Sequence, residues 1–254
     1  MMFNFHFLNV TVIIAVFGIC ACLIFFSWVS WVYLRTIREL RRHFLAIRQE
    51  YTAAVENIED VVISLARTID AKDRYTEGHT ERVSQYALFL GERMGMNEKQ
   101  LKNLRIGALI HDIGKIGIDQ NLLNKTTSLT PEERQQIESH PIVGADICYP
   151  LNSLQDAMLI IRNHHEKLDG SGYPDGLKGD EIPLEVRIVT IVDIFDALTT
   201  DRSYRSALSI DEALGIIRQE AHEGKLDSVL VREFEIVLQD MFSMVKDEST
   251  IPPG

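Results

Sequence analysis

Cysteine is scarce in this chain of 254 residues: Cys20 and Cys22 lie inside an apolar run and Cys148 stands alone. That excludes a disulfide framework and a zinc–thiolate site, and it suits a reducing compartment. Charge of either sign is missing from Met1 to Leu34. Basic residues are in deficit, 26 Lys and Arg against 37 Asp and Glu, for a net charge of −11. Residues 1–50 hold five Arg and two Glu, a balance of +3, so the remainder carries −14. So acidic a remainder excludes a nucleic-acid polymer as partner, which requires a basic footprint. It still admits an anionic small molecule where metal ions and a few local cations dominate the site. Alternation of strand type is also scarce, and no internal repeat is present.

The charge-free start contains the run Val10 to Leu34, 25 residues dominated by Val, Ile, Phe, Ala, Cys and Leu. That is long enough to cross a bilayer. Trp28, Trp31 and Tyr33 gather at its C-terminal end, and Arg35, Arg38, Arg41, Arg42 and Arg48 follow. A cleavable signal peptide would place its positive charge before a shorter apolar core. The pattern predicts an uncleaved, single-pass anchor in the inner (cytoplasmic) membrane with everything after residue 34 in the cytoplasm. The expected division is a short outer terminus at 1–9, a transmembrane helix at 10–34, a helical linker at 35–60, a catalytic domain at 60–245 and a polar tail at 246–254. In the linker, Leu40, Phe44, Ile47, Tyr51, Val55, Ile58, Val62 and Leu65 recur at three- and four-residue steps. Such a stripe would serve a homodimer through a partner helix, whereas from about Glu59 onward it is expected to pack on its own domain.

Helical signals continue beyond the linker. Val83, Tyr86, Ala87, Leu90 and Met94 form one stripe closed by Gly95, and Leu101, Leu104, Ala108 and Leu109 form the next. Thr130-Pro131-Glu132-Glu133 and Ser209-Ile210-Asp211-Glu212 are helix starts with a capping box. Ile188 to Val192 is β-rich in composition, yet Asp193, Asp196, Ala197 and Thr200 continue it at helical spacing, so a buried helix is expected. The fold class is therefore all-α.

Five of the eight histidines fall in a pattern with two aspartates: His79, His111-Asp112, His140, His164-His165 and Asp193. Imidazole and carboxylate without thiolate indicate a hydrolytic or oxygen-chemistry centre rather than a structural zinc site. Seven donors exceed what one ion can use while keeping a position open, so two ions are expected, with Asp112 able to bridge them. A lone histidine on an apolar helix face is ordinarily a satisfied core residue; here the contexts differ. His111-Asp112 ends the apolar run Leu104, Ala108, Leu109, where an unpaired carboxylate would be costly. Adjacent helical residues point about 100° apart, so His164 and His165 reach one ion most easily at a helix end, which Gly170 and Gly172 supply.

His111-Asp112-Ile113-Gly114-Lys115, His164-His165-Glu166 and Asp169-Gly170-Ser171-Gly172-Tyr173-Pro174, with Asp73 to His79 and Asp201 to Arg205, resemble the HD-GYP family, the bacterial cyclic di-GMP phosphodiesterases of the HD superfamily. The resemblance covers roughly residues 60 to 240. It implies an HD-domain helical bundle with a Gly-Tyr-Pro loop and extra C-terminal helices. It places one divalent ion, Fe or Mn, on His79, His111, Asp112 and Asp193, and a second on Asp112, His140, His164 and His165. Lys115 matches the lysine beside the scissile phosphate, Tyr173 lies on the loop lining the ligand pocket, and Arg202 and Arg205 match positions that contact substrate phosphates. Members with a third metal carry glutamate four residues before the first ligand histidine. Tyr75 stands there in this chain, which implies two ions and puts conversion beyond pGpG to GMP in doubt.

The reaction so implied is metal-assisted, in-line hydrolysis of a 3′-5′ phosphodiester in cyclic di-GMP, with no serine, cysteine or histidine nucleophile. Two other readings remain at this point. One is a membrane-tethered receptor or scaffold that binds cyclic di-GMP without cleaving it; the other is a hydrolase acting on a different cyclic dinucleotide or nucleotide.

Overall fold

The computed structural model describes residues 3–72, 78–201 and 206–248. Tyr75, Arg202 and Arg205 lie outside the described residues, as does the tail from 249 onward. The described residues form helices joined by turns and loops, with no strand, as the sequence predicts. Contacts divide the chain into two units, Met1–Ile58 and Glu59–Gly254.

The first unit is a helical stretch within α1, Phe3–Asp70. Its segment Ile14–Glu50 is long and apolar enough to cross a membrane by length and composition, and none of it is buried against protein.

The second unit contains the last turns of α1 followed by α2 (His79–Arg93), α3 (Glu98–Ile110), α4 (Gln120–Leu123), α5 (Pro131–Glu138), α6 (His140–Cys148), α7 (Met158–Asn163), α8 (Leu184–Thr199), α9 (Ile210–His222) and α10 (Ser228–Glu248). Local chemistry sets several of these starts. Thr130 and Glu133 cap α5 reciprocally with Pro131 just inside, and Ser209 and Glu212 do the same for α9. Asn97 and Gln100 form a third capping box at α3, which satisfies two otherwise orphaned backbone donors.

Two apolar clusters flank the place where the ligand candidates meet. The larger unites α2, α8, α9 and α10 around Phe195 and Phe234, whose rings meet edge to face at 5.1 Å with Tyr86 against both. Burying each such ring contributes roughly 1.5–3 kcal/mol. Ile188, Val189, Ile191 and Val192 are fully buried here, so the β-rich run is helical because both faces of α8 are covered. The smaller cluster packs Val62, Ala66 and Ile69 of α1 against Ile106, Leu109 and Ile110 of α3 and Ile113 just beyond it. The back of α3 is thereby held, and its C-terminal end, His111-Asp112, is presented between the clusters.

Candidate metal centre

Each candidate donor sits at an element end or on a buried face. α3 ends at Ile110; His111 is its C-cap and Asp112 opens a 3-10 turn, Ile113–Gly117, that carries Lys115. That turn packs so closely on α6 that a Cβ at Gly114 would run into the His140 carbonyl oxygen and the Gly144 nitrogen, both backbone. Only glycine lets Asp112 approach His140. The Lys72 ammonium donates to the carbonyls of Lys115 and Ile116 at 3.1 and 2.7 Å, and to that of Ile118, holding the turn's end. His164 is the C-cap of α7, with His165 next, so the paired histidines do lie at a helix end. His79 opens α2, and Asp193 lies in α8.

The donors fall into two groups that share Asp112. Its Oδ2 lies 3.5 Å from His111 Nε2 and 4.0 Å from His79 Nε2. Its Oδ1 lies 3.1 Å from His140 Nε2 and 3.9 Å from His164 Nε2. Asp193 Oδ1 completes the first side, 3.3 Å from His79 Nε2 and 3.8 Å from His111 Nε2. His165 belongs with Asp112, His140 and His164, all within 4.8 Å of one another through one donor atom each. The structure thus brings together all seven candidates.

The state of these nitrogens shows what the arrangement wants. His111 Nδ1 donates to the Ala108 carbonyl at 2.8 Å, His140 Nδ1 to that of Ile137 at 2.8 Å and His164 Nδ1 to that of Ile161 at 3.0 Å. Each such bond places a hydrogen on Nδ1 and leaves Nε2 as the ring atom that points into the cluster. His140 Nε2 and His164 Nε2 then face each other at 3.2 Å beside a carboxylate oxygen, and buried His111 Nε2 has no hydrogen-bond partner. Buried ring nitrogens converging with carboxylate oxygens on one point fit a cation. Burial holds His164 well below the usual histidine range, helped by repulsion from His165, and pulls His165 down to about 3, so both stay neutral and ligand-ready. Asp112 is held well below the usual carboxylate range because Lys115 and His111 override burial, and Asp193 likewise through His79. His79 itself is pushed up to about 9: burial opposes its charge, but Asp193 and Asp196 outweigh it. Between two carboxylates, its proton occupies the electrostatic role a metal cation would take.

Several supporting residues escape a reading of the sequence. Asp196, one turn beyond Asp193 and buried, accepts from His79 Nδ1 at 2.7 Å and from Arg82 Nε and Nη2 at 2.6 and 2.9 Å. Its three-residue spacing from Asp193 is the signal that was available. Glu166, also buried, accepts from the backbone N–H groups of Asp175, Gly176 and Leu177 at 2.7, 3.0 and 3.0 Å, tying down the loop after Tyr173. A Cβ on Gly172 would strike the backbone of residues 165–167, so this loop can lie against the histidine pair only with glycine there. The Tyr173 ring consequently sits 4.8 Å from the His165 ring. Burial, then the charges of Glu138, Asp112 and Asp193, raise its hydroxyl above the ordinary tyrosine value, so it remains a neutral donor.

These groups face an open cleft of about 370 Å³. Its lining is polar at His79, Asp112, Lys115, His140, His165 and Asp193 and apolar at Ile137, Ile194 and Leu198, with Tyr173 beside His165. Lys115 Nζ stands 2.6 Å from Asp112 Oδ2. A cleft lined by both charged and apolar groups suits a ligand with an anionic backbone and flat, partly apolar groups.

The family model described as the HD domain matches residues 64–230. The 3′3′-cGAMP-specific phosphodiesterase 3 of Vibrio cholerae is 37% identical over 196 residues, covering 77% of this chain and 42% of that protein. The cyclic di-GMP phosphodiesterase response regulator RpfG of Xanthomonas campestris is 36% identical over 193 residues, covering 74% of this chain and 50% of that protein. The chain spans about half the length of the curated relatives it matches. Among solved structures, the HDG"Y"P protein Bd1817 from Bdellovibrio bacteriovorus superposes with a TM-score of 0.53 at 26% identity, over 63% of this chain and 51% of that one.

Proposed function

The chain belongs to the HD-domain family, and on that premise we propose that it is a metal-dependent phosphodiesterase that hydrolyses cyclic di-GMP to pGpG at a two-ion centre, tethered to the inner membrane by its N-terminal helix. The observation that carries this reading is Asp112: each of its oxygens faces a different set of imidazoles, so this one side chain could serve both ions. His79, His111, Asp112 and Asp193 would hold one ion, and Asp112, His140, His164 and His165 the other; Fe or Mn suits such donors.

Bound ions of this kind supply Lewis acidity toward a phosphoryl oxygen and lower the pKa of water. The rest falls to the chain's own groups. Lys115 sets a fixed positive charge at the cleft wall for the phosphate's non-bridging oxygens. Tyr173 offers a phenolic donor beside His165, and Ile137, Ile194 and Leu198 accept the face of a base. Arg202 and Arg205 are proposed, from the motif alone, to take the second phosphate. Tyr75 in place of a third-ion glutamate is the reason for stopping at pGpG.

Substrate choice is open to direct trial, since one relative is named for 3′3′-cGAMP and another for cyclic di-GMP. Detergent-solubilised full chain, loaded separately with Mn and anaerobic Fe(II), would be given each dinucleotide and the products separated by chromatography. The expected result is loss of cyclic di-GMP with pGpG accumulating. Tight binding without turnover under both metals would make the chain a receptor, and turnover of 3′3′-cGAMP alone would reassign the substrate.

A further inference from the structure

The last turns of α1 use two different faces. Val62, Ala66 and Ile69 are buried on the domain, whereas their neighbours Val61 and Leu65 remain 58% and 45% exposed. Those two continue a strict three-and-four spacing that begins at Ile37 and runs through Leu40, Phe44 and Ile47. The last three of these are 71%, 66% and 65% exposed. Tyr51, Ala54 and Ile58 fill the intervening places in the sequence. Val62 of the linker stripe thus turns onto its own domain after Glu59, as expected, while Leu65 of that stripe stays exposed. Val61 and Leu65 belong by spacing to a second stripe, which is exposed wherever its side chains are described.

Nine positions over four heptads, alternating steps of three and four, are the signature of a two-stranded coiled coil rather than of a helix lying on a globular core. A 3.5-residue repeat drifts about 20° per heptad on a straight helix, which two supercoiling copies absorb and an isolated helix cannot. At roughly 60–120 Å² for each buried aliphatic side chain, such a seam on two copies would bury on the order of 1,100–2,200 Å², within the range of specific interfaces. We propose that two copies of this chain pair in parallel and in register along the Ile37–Leu65 seam. Parallel pairing leaves both apolar N-terminal runs at one end. The opposite face carries Arg35, Arg38 and Arg42, whose charge keeps it out of the seam. Because Val62 and Ala66 on the other stripe pack on Ile106, Ile110 and Ile113, the paired helices also form the back wall of each His111-Asp112 element.

The test is disulfide cross-linking of full chain in native membrane vesicles, on a Cys20→Ala/Cys22→Ala background whose remaining Cys148 is buried. Leu40→Cys, Ile47→Cys and Leu65→Cys lie on the seam; Arg42→Cys and Gln49→Cys lie opposite. The expected result is a band of twice the chain mass at all three seam positions and its loss at the other two. Equal cross-linking on both faces, no seam cross-link, Leu40→Cys joining only Leu65→Cys as an antiparallel pair would, or capture of a different protein would each overturn the proposal. The band is read without reference to turnover, so an inactive enzyme would leave this result intact.

Discussion

Replacing Asp196 with asparagine probes the centre without touching a donor. The side chain keeps its shape, and one oxygen can still accept from His79 Nδ1, now 2.7 Å away, but the amide must then turn an N–H toward the Arg82 guanidinium that Asp196 receives at 2.6 and 2.9 Å. Hydrogen bonds to charged groups contribute about 1.5–3 kcal/mol each. The Arg82 side chain is 37% exposed, so water screens part of its share. A net loss of about 2 kcal/mol follows, or a fall in Tm of roughly 4–8 °C for a domain of this size. The larger effect should be on metal, because Asp196 orients the His79 ring and holds its tautomer; such partners are typically worth about 10–100-fold in affinity. The assay is metal titration of ion-free wild type and Asp196→Asn at pH 7.5, followed by thermal unfolding of each. Affinity within about twofold of wild type, with the stability loss present, would refute the reasoning and show that packing alone positions His79.

Three further outcomes are expected. Glu166→Ala leaves three backbone N–H groups of residues 175–177 without their acceptor, so stability should fall by about 2–4 kcal/mol and KM should rise more than kcat falls; an unchanged KM would separate the loop from substrate binding. In ion-free protein His79 keeps its proton up to about pH 9, against about 6.5 when unfolded, so its contribution to stability is complete below pH 6.5 and lost as pH rises through about 9. Urea unfolding should therefore show the ion-free chain weakening between pH 7 and 9.5 through this group. Metal loading at pH 7.5 should release a proton measurable by buffer-dependent calorimetry, and its absence would contradict the assignment.

What could be read from the sequence was local. The capping boxes at Thr130 and Ser209 set helix starts through contacts three residues apart, and α8 was legible because Asp193, Asp196 and Ala197 keep helical phase beyond the β-rich run. The seven donors stood out because histidine and aspartate in apolar surroundings need a compensating partner. Their supports did not. Asp196 contributes to the helical phase and gives no sign that it meets His79, 117 residues away; Lys72 reaches carbonyls more than 40 residues on; and Glu166 within a turn-rich stretch looks like any solvated carboxylate until the chain folds over it. Each depends on long-range closure. The same holds for α1, whose two stripes interleave in the sequence and separate only when burial distinguishes Val62 from Val61.

The most direct measurement compares metal content and cyclic di-GMP turnover in wild type and Asp112→Ala, each prepared as full chain with Fe(II) or Mn. Two ions per chain and pGpG formation in wild type, with both the metal and the turnover lost in Asp112→Ala, are expected from a carboxylate that faces both sets of imidazoles. An Asp112→Ala protein that retains both ions and hydrolyses cyclic di-GMP at the wild-type rate would contradict the bridged centre and the reaction built on it.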